Sequence, residues 1–233
     1  MKIGTINIDW FLKKETTQNL ILEKIKQQDF DFLIVTENSD AFYLPDNYFV
    51  YHSNALPLNS EYENLDYGTY LKGKQAFRTS IFSKYPSIKK NVVQDAFTSV
   101  CHSFLIGEKE ITVYGTIIGT WGILHQKTVA KKELLHFLID SESFRNYQNV
   151  IVAGDLNTSF IVSENRELSQ VNSRAIFELQ AKKINLSIVT AQIPQNIDHF
   201  LLSESLNCVA TSVFMDETEL KDAYHKGIAA IIE

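Results

Sequence analysis

An aspartate and an asparagine two positions apart, Asp155 and Asn157 in the segment IVAGDLN, stand where an apolar run passes through Gly154 and turns polar. Residues two apart in extended chain point the same way, so carboxylate and amide can share one site. Such a carboxylate can orient and deprotonate a water, while the amide can hold the nucleophile or a phosphate oxygen. The same residues also suit an Asx turn that closes a strand. Asp155 is expected at the strand end, outside the core.

Three more segments place a polar residue beside apolar strand pattern. Asn7 lies between Ile6 and Ile8. Glu37 follows Leu33 to Val35 and Thr36, and its carboxylate suits a hard cation such as Mg2+. Asp198 lies between Ile197 and the run Phe200 to Leu202, interrupted only by His199. His225 precedes the apolar residues 228–232 and can neutralise charge on a phosphoryl group if Asp198 orients its ring and stabilises the imidazolium.

For these residues to meet, the elements between them must have the right order. Residues 2–8 alternate apolar and polar, and 32–36 is a short apolar run, so both are expected as strands. Between them, 16–28 sets Leu20, Ile21, Lys24 and Ile25 at helical spacing behind a Thr cap; strand, helix, strand implies parallel pairing. Residues 48–113 carry short Tyr-, Phe-, Val- and Thr-rich segments broken at Asn54, Gly68, Gly73, Pro86 and Gly107, the pattern of antiparallel hairpins. Residues 127–139 predict an amphipathic helix with Val129, Leu134, Leu135 and Leu138 buried, followed by a strand at 150–153 and a second helix at 173–183. Strands at 186–189, 197–202, 208–213 and 228–232 complete an α/β (α+β) chain of packed sheets with helices outside, one domain over residues 1–233. Parallel strands deliver their carboxyl ends to a common edge, where sites form.

Composition narrows the class. With 45% hydrophobic and 21% charged residues the sequence is that of a soluble globular protein, and no apolar stretch is long enough for a membrane span. The N-terminus begins directly on strand pattern, without the signature of a secretory signal. Cys101 and Cys208 are far apart and lack metal-ligand spacing, so a reducing cytoplasm is expected. The net charge of −6 argues against a broad basic face for nucleic acid. Lys72, Lys74, Lys84, Lys89 and Lys90 are expected to be a solvated rim.

Taken in order, these segments resemble the endonuclease/exonuclease/phosphatase superfamily, the group of deoxyribonuclease I, abasic endonucleases, inositol polyphosphate 5-phosphatases and neutral sphingomyelinases. KIGTINIDW resembles its first strand with its Asn, DFLIVTEN its second with a metal-binding Glu, and FRTSIFSKYP the strand ending in Ser-Lys/Arg-x-Pro. IVAGDLN matches its Gly-Asp-x-Asn motif, NIDHFLLS its Ile-Asp-x-Ile/Phe strand, and YHKGIAAII its Ser-Asp-His segment. The resemblance spans nearly the whole chain and implies a four-layer sandwich of two packed mixed sheets flanked by helices.

It further implies that Glu37 binds Mg2+ (or Mn2+) with Asn7 beside it, that Asp155 and Asn157 position and activate the attacking water, and that Asp198 orients a His225 that contacts the scissile phosphate. Asn7 thus counts among both the catalytic and the metal-site candidates. Two positions depart from the family pattern: Tyr224 stands where Ser-Asp-His has its Asp, with Asp222 two residues away, and Thr116, Ile117 and Ile118 replace Thr-His-Leu. The expected activity is metal-dependent phosphodiester hydrolysis by a monomer, with nucleic acid as substrate. A phosphomonoesterase or lipid or inositol-phosphate hydrolase, and a noncatalytic binding module, are the alternatives. Trp121 and His125 are expected to be a packed Trp and a helix-start His.

Overall fold

The computed structural model describes residues 1–44, 47–57, 74–119, 127–168, 172–222 and 225–233. Tyr224, Trp121, His125 and Lys72 lie outside the described residues. Two six-stranded sheets form the centre. The first holds β1 (Lys2–Asn7), β2 (Phe32–Ser39), β3 (Phe49–His52), β4 (Ala76–Ser83), β11 (Cys208–Met215) and β12 (Gly227–Ile232), in the order β11-β12-β1-β2-β4-β3. The second holds β5 (Ser87–Lys90), β6 (Ser99–Ile106), β7 (Lys109–Ile117), β8 (Val150–Asp155), β9 (Leu186–Ile188) and β10 (Asp198–Ser203), in the order β5-β6-β7-β8-β10-β9. β1 runs parallel to β2 across the crossover helix α1 (Glu15–Gln28), and β7 runs parallel to β8 across α2 (Lys127–Glu142). The remaining pairings are antiparallel, including β10 with β8 and β12 with β1.

Alternation along the strands builds the layers. Ile3, Phe32, Ile34 and Ile81 of the first sheet meet Val113, Ile151, Ala153 and Phe200 of the second in the central core. The opposite face of the first sheet, with Leu33, Val35 and Phe214, packs against Ile21 and Ile25 of α1 and Leu220 of the short α4 (Glu217–Leu220). That of the second, with Tyr114, Val150, Val152 and Leu201, packs against Leu134 and Phe137 of α2 and Phe177 and Ala181 of α3 (Ser173–Lys183). The four-layer order expected from the sequence is therefore present. Among the described residues no helix is long and apolar enough to cross a membrane.

Several local expectations change. The hairpin-rich middle is divided between sheets, because the chain leaves β4 for β5 in the other layer. On α2, Leu135 is 54% exposed and Phe137 is the buried residue, so the stripe is rotated toward the aromatic. Helix α1 begins one residue earlier, on Glu15, with no side-chain cap, and Thr17 is buried instead. β2 continues through Glu37 to Ser39, so Glu37 lies within a strand and not past its end.

This topology decides where a site can form. The carboxyl ends of β1, β2 and β8 lie at one edge of the sandwich. β10 and β12 run opposite to their neighbours, so it is their beginnings, Asp198 and the residues before Gly227, that reach the same edge. Asp198 stands directly across from Asp155 in the register.

Candidate functional site

Each polar residue at that edge is turned toward the others by a local device. Asn7 shares the inward parity of Ile3, and Asp155 that of Ile151 and Ala153. Glu37 has the opposite parity, that of Leu33 and Val35, and a regular strand would point it at the helix layer. Its backbone adopts φ +53°, and the side chain reaches Asn7 instead. Asp9 (φ +38°), Asn157 (φ +47°) and Gly154 (φ +137°) are also left-handed. Such strain is of order 1–3 kcal/mol per non-glycine residue and clusters at functional sites.

The Asn7 amide joins the two sheets. Its Nδ2 donates to Glu37 Oε2 at 2.8 Å and to Asp155 Oδ2 at 3.2 Å, while its Oδ1 accepts from the Asp9 N–H at 3.0 Å. The amide is thereby oriented as a donor that bridges two acids, with its oxygen turned away toward the backbone. Asp155 is 1% exposed and inside β8, which corrects its expected position outside the core.

Asp155 and Asn157 do share a site, through a turn and not an extended chain. Asp155 Oδ1 accepts from the Asn157 N–H at 2.8 Å, an Asx turn, and Asn157 Nδ2 donates to Asp155 Oδ2 at 3.1 Å and to the Ile118 carbonyl at 3.0 Å. Both amide protons face acceptors, so Asn157 ties Asp155 to the Ile118 carbonyl. Gly154 sits opposite Thr116 in the parallel register, and a Cβ there would lie 1.9 Å from the Thr116 carbonyl oxygen. Only glycine fits that close backbone approach.

His225 Nδ1 lies 3.0 Å from Asp198 Oδ2. Burial works against charge on the ring, but Asp198 and Asp155 outweigh it and hold the imidazolium up to about 10. Asp155 is pushed up to about 7 by burial, with His225 pulling the other way and Asp198 and Glu37 adding to the rise. Ligand atoms of Asp155, Asp198 and His225 lie within 4.8 Å of one another, close enough to share a cation. A ring that keeps its proton against Asp198 is the better account of these three, because a ligating His must be neutral. Asp198 Oδ1, fully buried, has no hydrogen-bond partner among the described residues, which marks it as an acceptor awaiting a donor or cation.

Sequence reasoning missed Asp9. Its carboxyl is pushed up to about 7, first by burial and then by Glu37, while Lys13 and His225 oppose the rise. Lys13 Nζ in turn pairs with Asp222 at 3.2 Å. The available signal was the spacing Asn7-Ile8-Asp9, which repeats that of Asp155-Leu156-Asn157 with the acid and amide exchanged.

His199, between Asp198 and Phe200, supports the edge from the opposite face. It is fully buried, with Nε2 2.9 Å from the Thr158 carbonyl and Nδ1 2.9 Å from Thr190 Oγ1. The carbonyl requires a donor, so Nε2 carries the proton, and the Asn196 side-chain amide nitrogen, a donor 3.3 Å from Nδ1, requires an acceptor there, so the ring is neutral. Burial lowers its pKa to about 4. The unfolded chain takes up this proton near 6.5 and the folded one only near 4, so stability present above 6.5 is lost as pH falls through that window. A melting series from pH 7 to 4.5 is expected to show this slope in the wild type and a flatter one in His199→Gln; equal slopes would reject the neutral-ring assignment.

No protein-family model matches the sequence, and no curated protein is significantly similar to it. Solved structures do match over its length. The 3′ phosphatase NExo from Neisseria, bound to product DNA hairpin, superposes with a TM-score of 0.70 at 11% identity, covering 100% of this chain and 99% of that one. The endonuclease domain of TRAS1, a telomere-specific non-LTR retrotransposon, gives 0.67 at 12% identity over 99% and 97%. An endonuclease/exonuclease/phosphatase family protein from Leptotrichia buccalis gives 0.64 at 12% identity over 100% and 99%. Likeness at this level of identity establishes the architecture.

Proposed function

The chain has the endonuclease/exonuclease/phosphatase fold, and from that premise we propose that it is a divalent-metal-dependent phosphodiesterase that hydrolyses nucleic acid. The observation that carries the reading is the Asn7 amide, which ties Glu37 of one sheet to Asp155 of the other at 2.8 and 3.2 Å, with the His225–Asp198 pair alongside. Nucleic acid is favoured over a small phosphate ester because the NExo structure holds a DNA hairpin product. Two free thiols, Cys101 and Cys208, agree with a reducing cytoplasm.

Asp155, with a proton affinity near neutrality, takes the proton from a water attacking phosphorus. Asn7 and Asn157 fix which way its oxygens face. His225, kept cationic and held by Asp198, donates to a non-bridging phosphate oxygen and neutralises its charge. Asp198 acts through His225 and is a positioning residue.

The donor set fits a hard cation. Asp9, Glu37, Asp155 and Asp198 gather at this edge against His225 and Lys13, and Asp9 and Asp155 are both pushed to about 7 partly by neighbouring carboxylates, the mark of excess negative charge. Glu37 and Asp9 would hold Mg2+ or Mn2+, with Asn7 orienting Glu37 and not ligating through its oxygen. When bound, the ion supplies positive charge for the oxygens of the transferring phosphoryl group.

A hydrolysis screen titrated with Mg2+, using abasic duplex, single-stranded DNA, RNA, bis-p-nitrophenyl phosphate and inositol phosphates, tests the reading. Cleavage of at least one nucleic acid is expected, abolished by chelation and reduced about 100-fold or more in Glu37→Gln. Hydrolysis confined to inositol phosphates would move the substrate to the small-molecule class. Absence of both hydrolysis and calorimetric metal binding would leave the fold as a binding module.

A further inference from the structure

Arg78 of β4 and Glu133 of α2 form an ion pair at 2.8 Å with side chains only 3% and 2% exposed. Desolvation of two charges offsets most of their attraction, so such a pair is poor stabilisation compared with apolar packing. The second carboxylate oxygen suggests another use. Glu133 Oε2 accepts the Gly119 N–H at 2.7 Å. Gly119 follows Ile118, whose carbonyl accepts from Asn157 Nδ2 at 3.0 Å and whose N–H donates to the Asp155 carbonyl at 2.9 Å. Gly119 has φ +87°, and a Cβ there would lie 2.0 Å from Leu168 Cδ2 and 3.2 Å from Asn157 Cβ. The segment leaving β7 is thus pressed against Asn157 on one side and clamped by Glu133 on the other.

We propose that Glu133 is a positioning residue for Asn157, with Arg78 as the counter-charge that lets a carboxylate be buried there. Arg78 neutralises Glu133, Glu133 fixes Gly119, and Gly119 fixes the Ile118 carbonyl that orients the amide holding Asp155. The pair reaches the reaction only through this relay and touches no substrate. Its kinetic consequence rests on Asp155 being the group that takes the proton from water; the mechanical coupling does not. A carboxylate suits the position because one oxygen can engage the guanidinium while the other takes a backbone N–H. An apolar pair of equal volume would pack as well and leave the Gly119 N–H without that acceptor.

Two double variants, both free of the buried charges, separate the acceptor from the packing. Arg78→Met/Glu133→Gln keeps an oxygen for the Gly119 N–H, and Arg78→Met/Glu133→Leu removes it. The side-chain amide signal of Asn157 in 15N-labelled protein reports the coupling directly, whatever the activity. The Gln variant is expected to keep that signal and to keep kcat within about threefold. The Leu variant is expected to shift the signal and lower kcat about 100-fold with KM nearly unchanged, the effect of a misplaced catalytic group. Circular dichroism should show both folded. An unshifted signal in the Leu variant overturns the coupling, and equal kcat losses in both variants overturn the acceptor's role. A wild type inactive on every phosphate ester defeats the proposed function, while the Asn157 signal still decides the relay.

Discussion

Asp155→Asn is expected to lower kcat about 1000-fold, within the range for loss of a positioned general base, while the melting temperature stays within about 2 °C of wild type or rises. The two outcomes follow from the same surroundings. Asp155 is 1% exposed, and burial is the main reason its carboxyl is pushed up to about 7. Its ionised form is therefore costly above neutral pH, and a neutral isostere removes that cost while keeping an oxygen for the Asn157 N–H, a gain that offsets the loss of Oδ2 as acceptor for the Asn7 and Asn157 side-chain amides. Alanine is the poorer test, since it would also leave the Asn157 N–H without its acceptor inside the structure. Hydrolysis and thermal melting measured on one preparation at pH 8 check both halves. Near wild-type kcat would remove Asp155 from the reaction, and a fall of 10 °C would make it a structural residue.

Gly154→Ala should be the most damaging single-methyl addition at this edge, by about 3–5 kcal/mol, or a melting temperature lower by about 10 °C. Two independent penalties combine there. The backbone sits at φ +137°, a region open essentially to glycine alone, and the new Cβ would meet the Thr116 carbonyl oxygen at 1.9 Å, inside a sheet that cannot move aside. The parallel pairing of β7 with β8 would have to open, and with it the register that sets Asp155 across from Asp198. Differential scanning calorimetry settles the magnitude. A melting temperature within about 2 °C of wild type would mean that the backbone at this position is not as described.

Strand alternation, the crossover helices and the Gly-Asp-x-Asn segment made the fold and the segments of the site legible in the sequence, because periodicity reports which face of an element is buried. The way the site is assembled was less legible. Glu37 enters it through a left-handed kink that contradicts strand parity, and no residue type announces such a kink. Asp155 and Asn157 face one another through an Asx turn, although the extended-chain argument predicted the same proximity for a different reason. Asp9 went unnoticed because one acid after a strand is ordinary; its raised pKa exists only once the fold buries it and sets Glu37 beside it. On α2 the error was one of phase: four apolar candidates and one aromatic competed for the same stripe, and the sheet surface selected Phe137 over Leu135. The Arg78–Glu133 relay is tertiary and had no local signal.

The placement of β12 between β11 and β1 also has a consequence for biosynthesis. Asn7 belongs to β1 and His225 is joined to β12, so the two lie far apart along the chain and meet only once β12 has paired with β1. Until Gly227–Ile232 is free of the exit tunnel, one edge of β1 lacks its antiparallel neighbour and the imidazolium is not in place. The same delay leaves an open strand edge exposed during synthesis, the kind of surface on which unfinished chains associate.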